Sequence, residues 1–206
     1  MTKINLTMID YGASNLRSAY KAFEMVGADV HVTSDPEEIL QAERLTLPGV
    51  GAFGSGMAAL RERGVDTAVQ TAVKQGKPLL GICVGMQFLF DEGDEMGIHQ
   101  GLGLIPGKVT RFPEGDYKVP HIGWNQIHFN EEHPLLVNVP PQSYAYFVHS
   151  YHCIPEQSKD TVASTPYGQN FSAIVGRGNV YGIQFHPEKS QTTGLQILRN
   201  YLEMTL

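Results

Sequence analysis

The chain has 206 residues, 42% hydrophobic and 17% charged, which is the balance of one folded domain and excludes wholesale disorder. Its formal net charge is −6, with 15 basic residues scattered among 21 acidic ones, which argues against a nucleic-acid partner. Two cysteines are too few for a disulfide scaffold, and no apolar run approaches the roughly 20 residues of a membrane span.

The N-terminal stretch Met1 to Thr7 is broken by polar residues and has no signal-peptide core, so a soluble cytoplasmic protein with reduced thiols is expected. Ile4 to Ile9 reads as a strand, and Asp10-Tyr11-Gly12 as a turn. From Asn15 the apolar residues Leu16, Ala19, Tyr20, Phe23 and Val26 recur at helical spacing, and Gly27 is a natural stop. Val30 to Val32 predicts a second strand. Ser34-Asp35-Pro36-Glu37 predicts a helix start, with Ser34 as cap and Glu37 three residues on. Leu45 to Leu47 predicts a third strand, and Met57 to Gln75 a helix broken at Gly64. Pro78 to Ile82 predicts a fourth strand, apolar throughout as if covered on both faces.

Strands alternating with helices imply a parallel sheet flanked by helices. After about Gly101 the pattern changes to short β runs, among them Gln126 to Phe129, Tyr144 to Val148, Ala173 to Val175 and Val180 to Phe185. These predict antiparallel additions to the same sheet, or a small second sheet. A last helix is expected from about Gly194 to Met204. The fold class is therefore α/β, with a mixed, mainly parallel sheet and antiparallel additions in the second half. With no repeat or linker, residues 1–206 read as a single domain.

Gly81-Ile82-Cys83-Val84-Gly85 follows the apolar strand and precedes Met86-Gln87-Phe88-Leu89-Phe90. This is the nucleophile-elbow pattern with Cys in place of Ser. Glycines relieve the crowding of a sharp strand-to-helix turn. Such a turn lifts the side chain to the C-terminal edge of the sheet, and a helix N-terminus there favours the thiolate. The Val84 amide would face a developing oxyanion. The plainer alternative is a buried structural cysteine whose glycines serve the turn alone.

A nucleophilic cysteine needs a base, and the base an orienting group. Of eight histidines, His31 lies on a strand with no acid beside it and His99 in a polar loop, while His133 precedes Pro134 near Glu131 and Glu132. His121, His128, His149 and His152 fall in the β-rich region as core or surface residues. His186 ends an apolar strand and is followed by Pro187-Glu188. In an extended segment His186 and Glu188 would share a face, with Pro187 ending the ladder.

Gly49-Val50-Gly51-Ala52-Phe53-Gly54 matches G-x-G-x-x-G and could mark a nucleotide-binding module. Against that, it follows the third strand and not the first, Pro48 precedes it, and no acidic residue closes a strand about 20 residues on. Its other use is a flexible strand end that supplies N–H groups beside Cys83.

Taken together, Pro48 to Gly51, Gly81 to Gln87 and Phe185 to Glu188 resemble class I glutamine amidotransferases. Pro120-His121-Ile122-Gly123-Trp124-Asn125, Tyr146 to Tyr151, His186 to Ser190, Asp10 to Gly12 and Asn15-Leu16 narrow the likeness. They make the whole chain similar to the glutaminase subunits of imidazole glycerol phosphate synthases, from histidine biosynthesis. A triad glutaminase serving another ammonia-using synthase is the alternative, against which the Trp124-Asn125 and Lys189-Ser190 stretches count.

The resemblance implies Cys83 as nucleophile, His186 as base and Glu188 as its orienter. It implies an oxyanion strand at Val50 and Gly51, with a reorientable Val50 peptide, joined by Val84. Gly51, Gln87, Glu95 and the His149-Ser150 backbone would hold L-glutamine, while Asn15, Trp124, Tyr146 and Lys189 would face the partner. That partner would be a (β/α)8-barrel cyclase subunit, forming a heterodimer; no cofactor or metal is implied. Attack of Cys83 on the carboxamide would release ammonia, water would cleave the thioester, and the cyclase would use the ammonia. The cyclase products would be imidazole glycerol phosphate and aminoimidazole carboxamide ribonucleotide. This sequence departs from the family at Ser14, where Gly is frequent, and at Val84, where Leu is frequent.

Overall fold

The computed structural model describes residues 3–12 and 16–205. Strand β1 (Ile4–Ile9) leads to helix α1 (Leu16–Met25), which buries Ala19, Ala22 and Phe23 on one face at the predicted helical spacing. After β2 (Ala28–Thr33) comes the short helix α2 (Pro36–Gln41). Its cap is Asp35 and not Ser34: the Asp35 carboxylate accepts the Glu37 amide at 2.9 Å. With Pro36 fixed at the first helical position, the residue just before it takes the cap, and the expected Ser34–Glu37 pair is one residue out of register.

Strand β3 (Leu45–Gly49) is followed by α3 (Phe53–Glu62) and α4 (Val65–Lys74), separated at Gly64 as predicted. Strand β4 (Leu79–Cys83) is buried at every position. The next helix, α5 (Val84–Gln87), is a single turn, after which the chain enters β5 (Phe90–Gly93). The short strand β6 (His99–Gln100) and the longer β7 (Ile105–Arg111) follow. Strands β8 (His121–Gln126), β9 (Tyr144–His149), β10 (Tyr151–Pro155), β11 (Thr161–Tyr167), β12 (Gln169–Arg177) and β13 (Val180–Ile183) come next. Helix α6 (Gln191–Glu203) closes the fold.

The main sheet has seven strands in the order β11-β12-β13-β4-β3-β1-β2. Strands β2, β1, β3, β4 and β13 run parallel, and β12 and β11 extend the sheet antiparallel. A four-stranded sheet, β10-β7-β5-β6, and the two-stranded ribbon β8-β9 stand apart from it. Both sequence expectations for the second half are therefore realised at once. One buried apolar cluster runs from Leu6 to Met204. Among the described residues no helix is long and apolar enough to cross a membrane.

The run Gln126 to Phe129 is not the strand predicted there. The strand lies before it, at β8, and His128 makes only an isolated bridge to Ser164. The outer face of β8 exposes Ile122 (61%) and Trp124 (46%), which inverts the polar-outside alternation from which strands are read.

Three parallel neighbours matter for function. β3, β4 and β13 lie side by side, with Gly49 opposite Cys83 and Ile82 opposite Ile183. Their C-terminal ends therefore deliver the Val50-Gly51 loop, the Cys83 turn and the His186 segment to one edge of the sheet, where ligands of such folds bind.

Candidate active site

Cys83 adopts φ 56° and ψ −114°, a conformation that costs an L-residue on the order of 1–3 kcal/mol. It is the sharp strand-to-helix bend expected of a nucleophile elbow, and it throws the side chain above the sheet. The bend also needs a close approach. A Cβ on Gly85 would collide with the Leu47 carbonyl of β3, so only glycine lets α5 turn directly over the neighbouring strand. The four residues of α5 correct one expectation: the field at the sulfur is that of one helical turn and its first amides.

His186 caps a turn of 3-10 helix, Pro187–Lys189. Its Nδ1 lies 2.8 Å from Glu188 Oε1, and both side chains are about 8% exposed. The pairing is the predicted one, but the backbone is a tight turn and not an extended strand. The turn is pinned from two sides. The Ser190 hydroxyl donates to the His186 carbonyl at 2.7 Å and accepts the Tyr146 amide at 2.9 Å. The His186 amide donates to the Tyr146 carbonyl at 2.9 Å. Burial alone would push the His186 imidazole down, but hydrogen bonds to the Cys83 sulfur and to Glu188 outweigh it and raise its pKa to about 10. The ring thus faces the cysteine in a setting that favours its protonated form.

The cavity over Cys83 has a volume of about 380 Å³. Val50, Gly51, Val84, Gln87, Glu95, His149, Ser150, His186 and Lys189 all line it, so sequence-predicted residues from well-separated segments meet there. Glu188 sits behind His186. Gly51 has φ 96°, a conformation that favours glycine, at the point where the loop crosses the cavity. The Tyr11 ring is buried beneath this loop; its hydroxyl lies near the Val50 main chain without a hydrogen bond of good geometry. Burial raises the Tyr11 pKa.

Gln87 donates through Nε2 to the Tyr151 carbonyl and to Gln184 Oε1, each at 3.2 Å. Both amide hydrogens are then used inside the protein, and Oε1 is the atom left for a ligand. Glu95 Oε2 accepts the Phe53 amide at 2.7 Å. The first amide of α3 is therefore already paired with a carboxylate of the chain itself. This removes the phosphate seat on which a dinucleotide reading of Gly49 to Gly54 depends.

Next to the cavity, Lys189 Nζ sits 5.9 Å above the Tyr146 ring, and Tyr146 meets Trp124 edge-on at 5.9 Å. Three of the predicted interface residues thus form one surface strip; the fourth, Asn15, lies outside the described residues. His31 does have an acid beside it, Glu38 at 2.8 Å, but this exposed pair lies outside the residues lining the cavity. Pro120, Val148 and Tyr151 line the cavity as well, and Gln184 and Ser190 support it from below. Pro120, Val148, Tyr151 and Ser190 fall in stretches that carry the resemblance, but the sequence assigns no site role to them or to Gln184, because main-chain positions and buried tertiary bonds leave no local pattern.

The sequence profile of the family described as glutamine amidotransferase class-I matches residues 7–204. A Salinibacter ruber protein named imidazole glycerol phosphate synthase subunit HisH is 51% identical, over 95% of this chain and 92% of that one. Its Geobacter sulfurreducens namesake is 46% identical, over 99% of this chain and all of its own length. Among solved structures, PurLQS from Thermotoga maritima superposes with a TM-score of 0.77 at 22% identity, covering 97% of this chain and 98% of that one. A crystal structure described as glutamine amidotransferase superposes with a TM-score of 0.75 at 19% identity, covering 96% of this chain and 97% of that one. These two establish the likeness of fold.

Proposed function

The chain belongs to the class-I glutamine amidotransferases, and on that premise we propose that it is the glutaminase subunit of an imidazole glycerol phosphate synthase. The near-full-length identity to subunits of that name supports the assignment. The observation that carries the chemistry is the line Cys83, His186 and Glu188, of which the first two line one cavity and the third backs the histidine.

In the proposed reaction L-glutamine enters with its carboxamide over Cys83. The Gln87 Oε1 atom and Glu95 take the α-ammonium group, and main-chain groups at His149 and Ser150 take the α-carboxylate. The cysteine sulfur attacks the carboxamide carbon, and the oxyanion faces N–H groups from the Val50-Gly51 loop and Val84. The C–N bond breaks as His186 gives its proton to the departing ammonia. Water, activated by the now neutral imidazole, cleaves the γ-glutamyl thioester to glutamate and restores the cysteine. Glu188 keeps the imidazole oriented throughout.

The ammonia passes to a partner, proposed as a (β/α)8-barrel cyclase, docked across Trp124, Tyr146 and Lys189. Lys189 lines the cavity and Tyr146 and Trp124 continue from it in one strip, which supports a protected transfer. A single amidotransferase domain working in the cytoplasm fits this role.

An electrophilic glutamine analogue tests the assignment of the nucleophile. Mass spectrometry should find the adduct on Cys83 alone, and Cys83→Ala should fold normally and take no label. Cys153 is fully buried and burial raises its pKa, so it should stay unmodified and dispensable. A label on Cys153, or glutamine turnover by purified Cys83→Ala, would remove Cys83 from the mechanism.

A further inference from the structure

The glutamine-holding edge of the cavity is a corner. β9 ends at His149 in the two-stranded ribbon, and β10 begins at Tyr151 in the four-stranded sheet. Ser150 alone joins the two and lines the cavity. The Ser150 carbonyl accepts the Phe112 amide at 3.0 Å, and the remaining main-chain groups of this one-residue junction are those proposed to grip the substrate.

Two histidine rings brace it. His149 Nδ1 lies 2.8 Å from the Tyr151 carbonyl and so spans the corner, and His121 Nδ1 lies 3.2 Å from His149 Nε2. Both rings sit in an aromatic cage. His121 stacks on Tyr167 at 3.8 Å, and Phe112 lies 5.2 Å from His149. Burial lowers His149 to about 3 and His121 to about 4, so each ring is neutral and carries one proton.

The proton positions follow by elimination. A carbonyl only accepts, so His149 Nδ1 must donate to Tyr151, which leaves His149 Nε2 bare. His121 Nδ1 must then donate to it, which leaves His121 Nε2 as an acceptor facing the Asn125 amide at 3.5 Å. The same Tyr151 carbonyl takes Gln87 Nε2. The relay therefore runs from the inner face of β8 to the carbonyl that positions Gln87. The opposite face of β8 carries the exposed Trp124.

We propose that the His121–His149 pair is a positioning relay through which His121, outside the cavity, fixes the Ser150 corner and with it the affinity for glutamine. The proposal rests on the glutaminase reading. His121 does not line the cavity, so its effect on substrate has to pass through His149.

The test uses the complex with the cyclase partner and measures glutamate release against glutamine concentration. His121→Phe keeps the stacking but removes the donor. It should raise KM for glutamine roughly tenfold, the equivalent of one lost buried hydrogen bond, while kcat changes much less. His121→Asn keeps a donor near the Nδ1 position and should restore most of the affinity. An unchanged KM in His121→Phe, or equal losses in both variants, would overturn the relay.

A second measurement does not need activity. Long-range proton–nitrogen NMR of the full chain at neutral pH should show both rings with the proton on Nδ1, the tautomer less common in free histidine. Protons on Nε2 would overturn the relay. If the wild type hydrolyses no glutamine, the functional reading falls and the tautomers alone decide the relay.

Discussion

Nδ1 of His186 and Oε1 of Glu188 are 2.8 Å apart within a single turn of 3-10 helix, locked at both ends by Ser190 and Tyr146. Among the described residues the other carboxylate oxygen, Oε2, is buried with no hydrogen-bond partner. The pairing favours the charged form of the ring.

Glu188→Gln should therefore leave the fold intact and cut kcat by about 10²–10³-fold, because an amide can orient the ring but cannot stabilise its protonated form. The KM for glutamine should hardly move. Steady-state kinetics at saturating partner checks this, and a large rise in KM with normal kcat would place Glu188 in substrate binding instead.

The raised pKa of His186 also ties stability to pH. Its folded value is about 10, against roughly 6.5 for an unperturbed histidine. The folded state thus binds the proton more tightly than the unfolded one. The stabilisation is complete below about pH 6.5 and fades as pH rises towards about 10. Thermal melts of the wild type and His186→Asn across that window should converge as pH increases, and a gap that widened instead would contradict the protonated ring.

Gly85→Ala tests the elbow. The new methyl group would meet the Leu47 carbonyl, and neither backbone can yield without pulling β3 from β4. The variant should lose about 3 kcal/mol or more of stability, together with its glutaminase activity. Chemical denaturation measures the first, and wild-type stability would show that α5 can sit farther from the sheet.

Much of this site was legible in the sequence because its signals are local. The glycines around Cys83 and the His186-Pro187-Glu188 run announce themselves within a few residues. Parallel strands then bring them together without further information, since β3, β4 and β13 end at one edge. The geometry behind the signals was less legible. The segment after Cys83 makes one turn of helix because Phe90 is drawn into the four-stranded sheet, where it pairs with Ile105. The His186–Glu188 pair forms in a turn because Ser190 and Tyr146 fold it back. The role of the Tyr151 carbonyl, Gln184 and the switch between sheets at Ser150 left no trace, because each acts through tertiary bonds between distant segments.

The most direct measurement is glutamate release from glutamine by the chain alone, with the proposed cyclase partner, and with that partner and the ribonucleotide it would act on together. Low turnover by the isolated chain is expected, with a steep rise when both partner and ligand are present. Turnover that ignores them would keep the Cys83 chemistry but contradict the assignment to imidazole glycerol phosphate synthase.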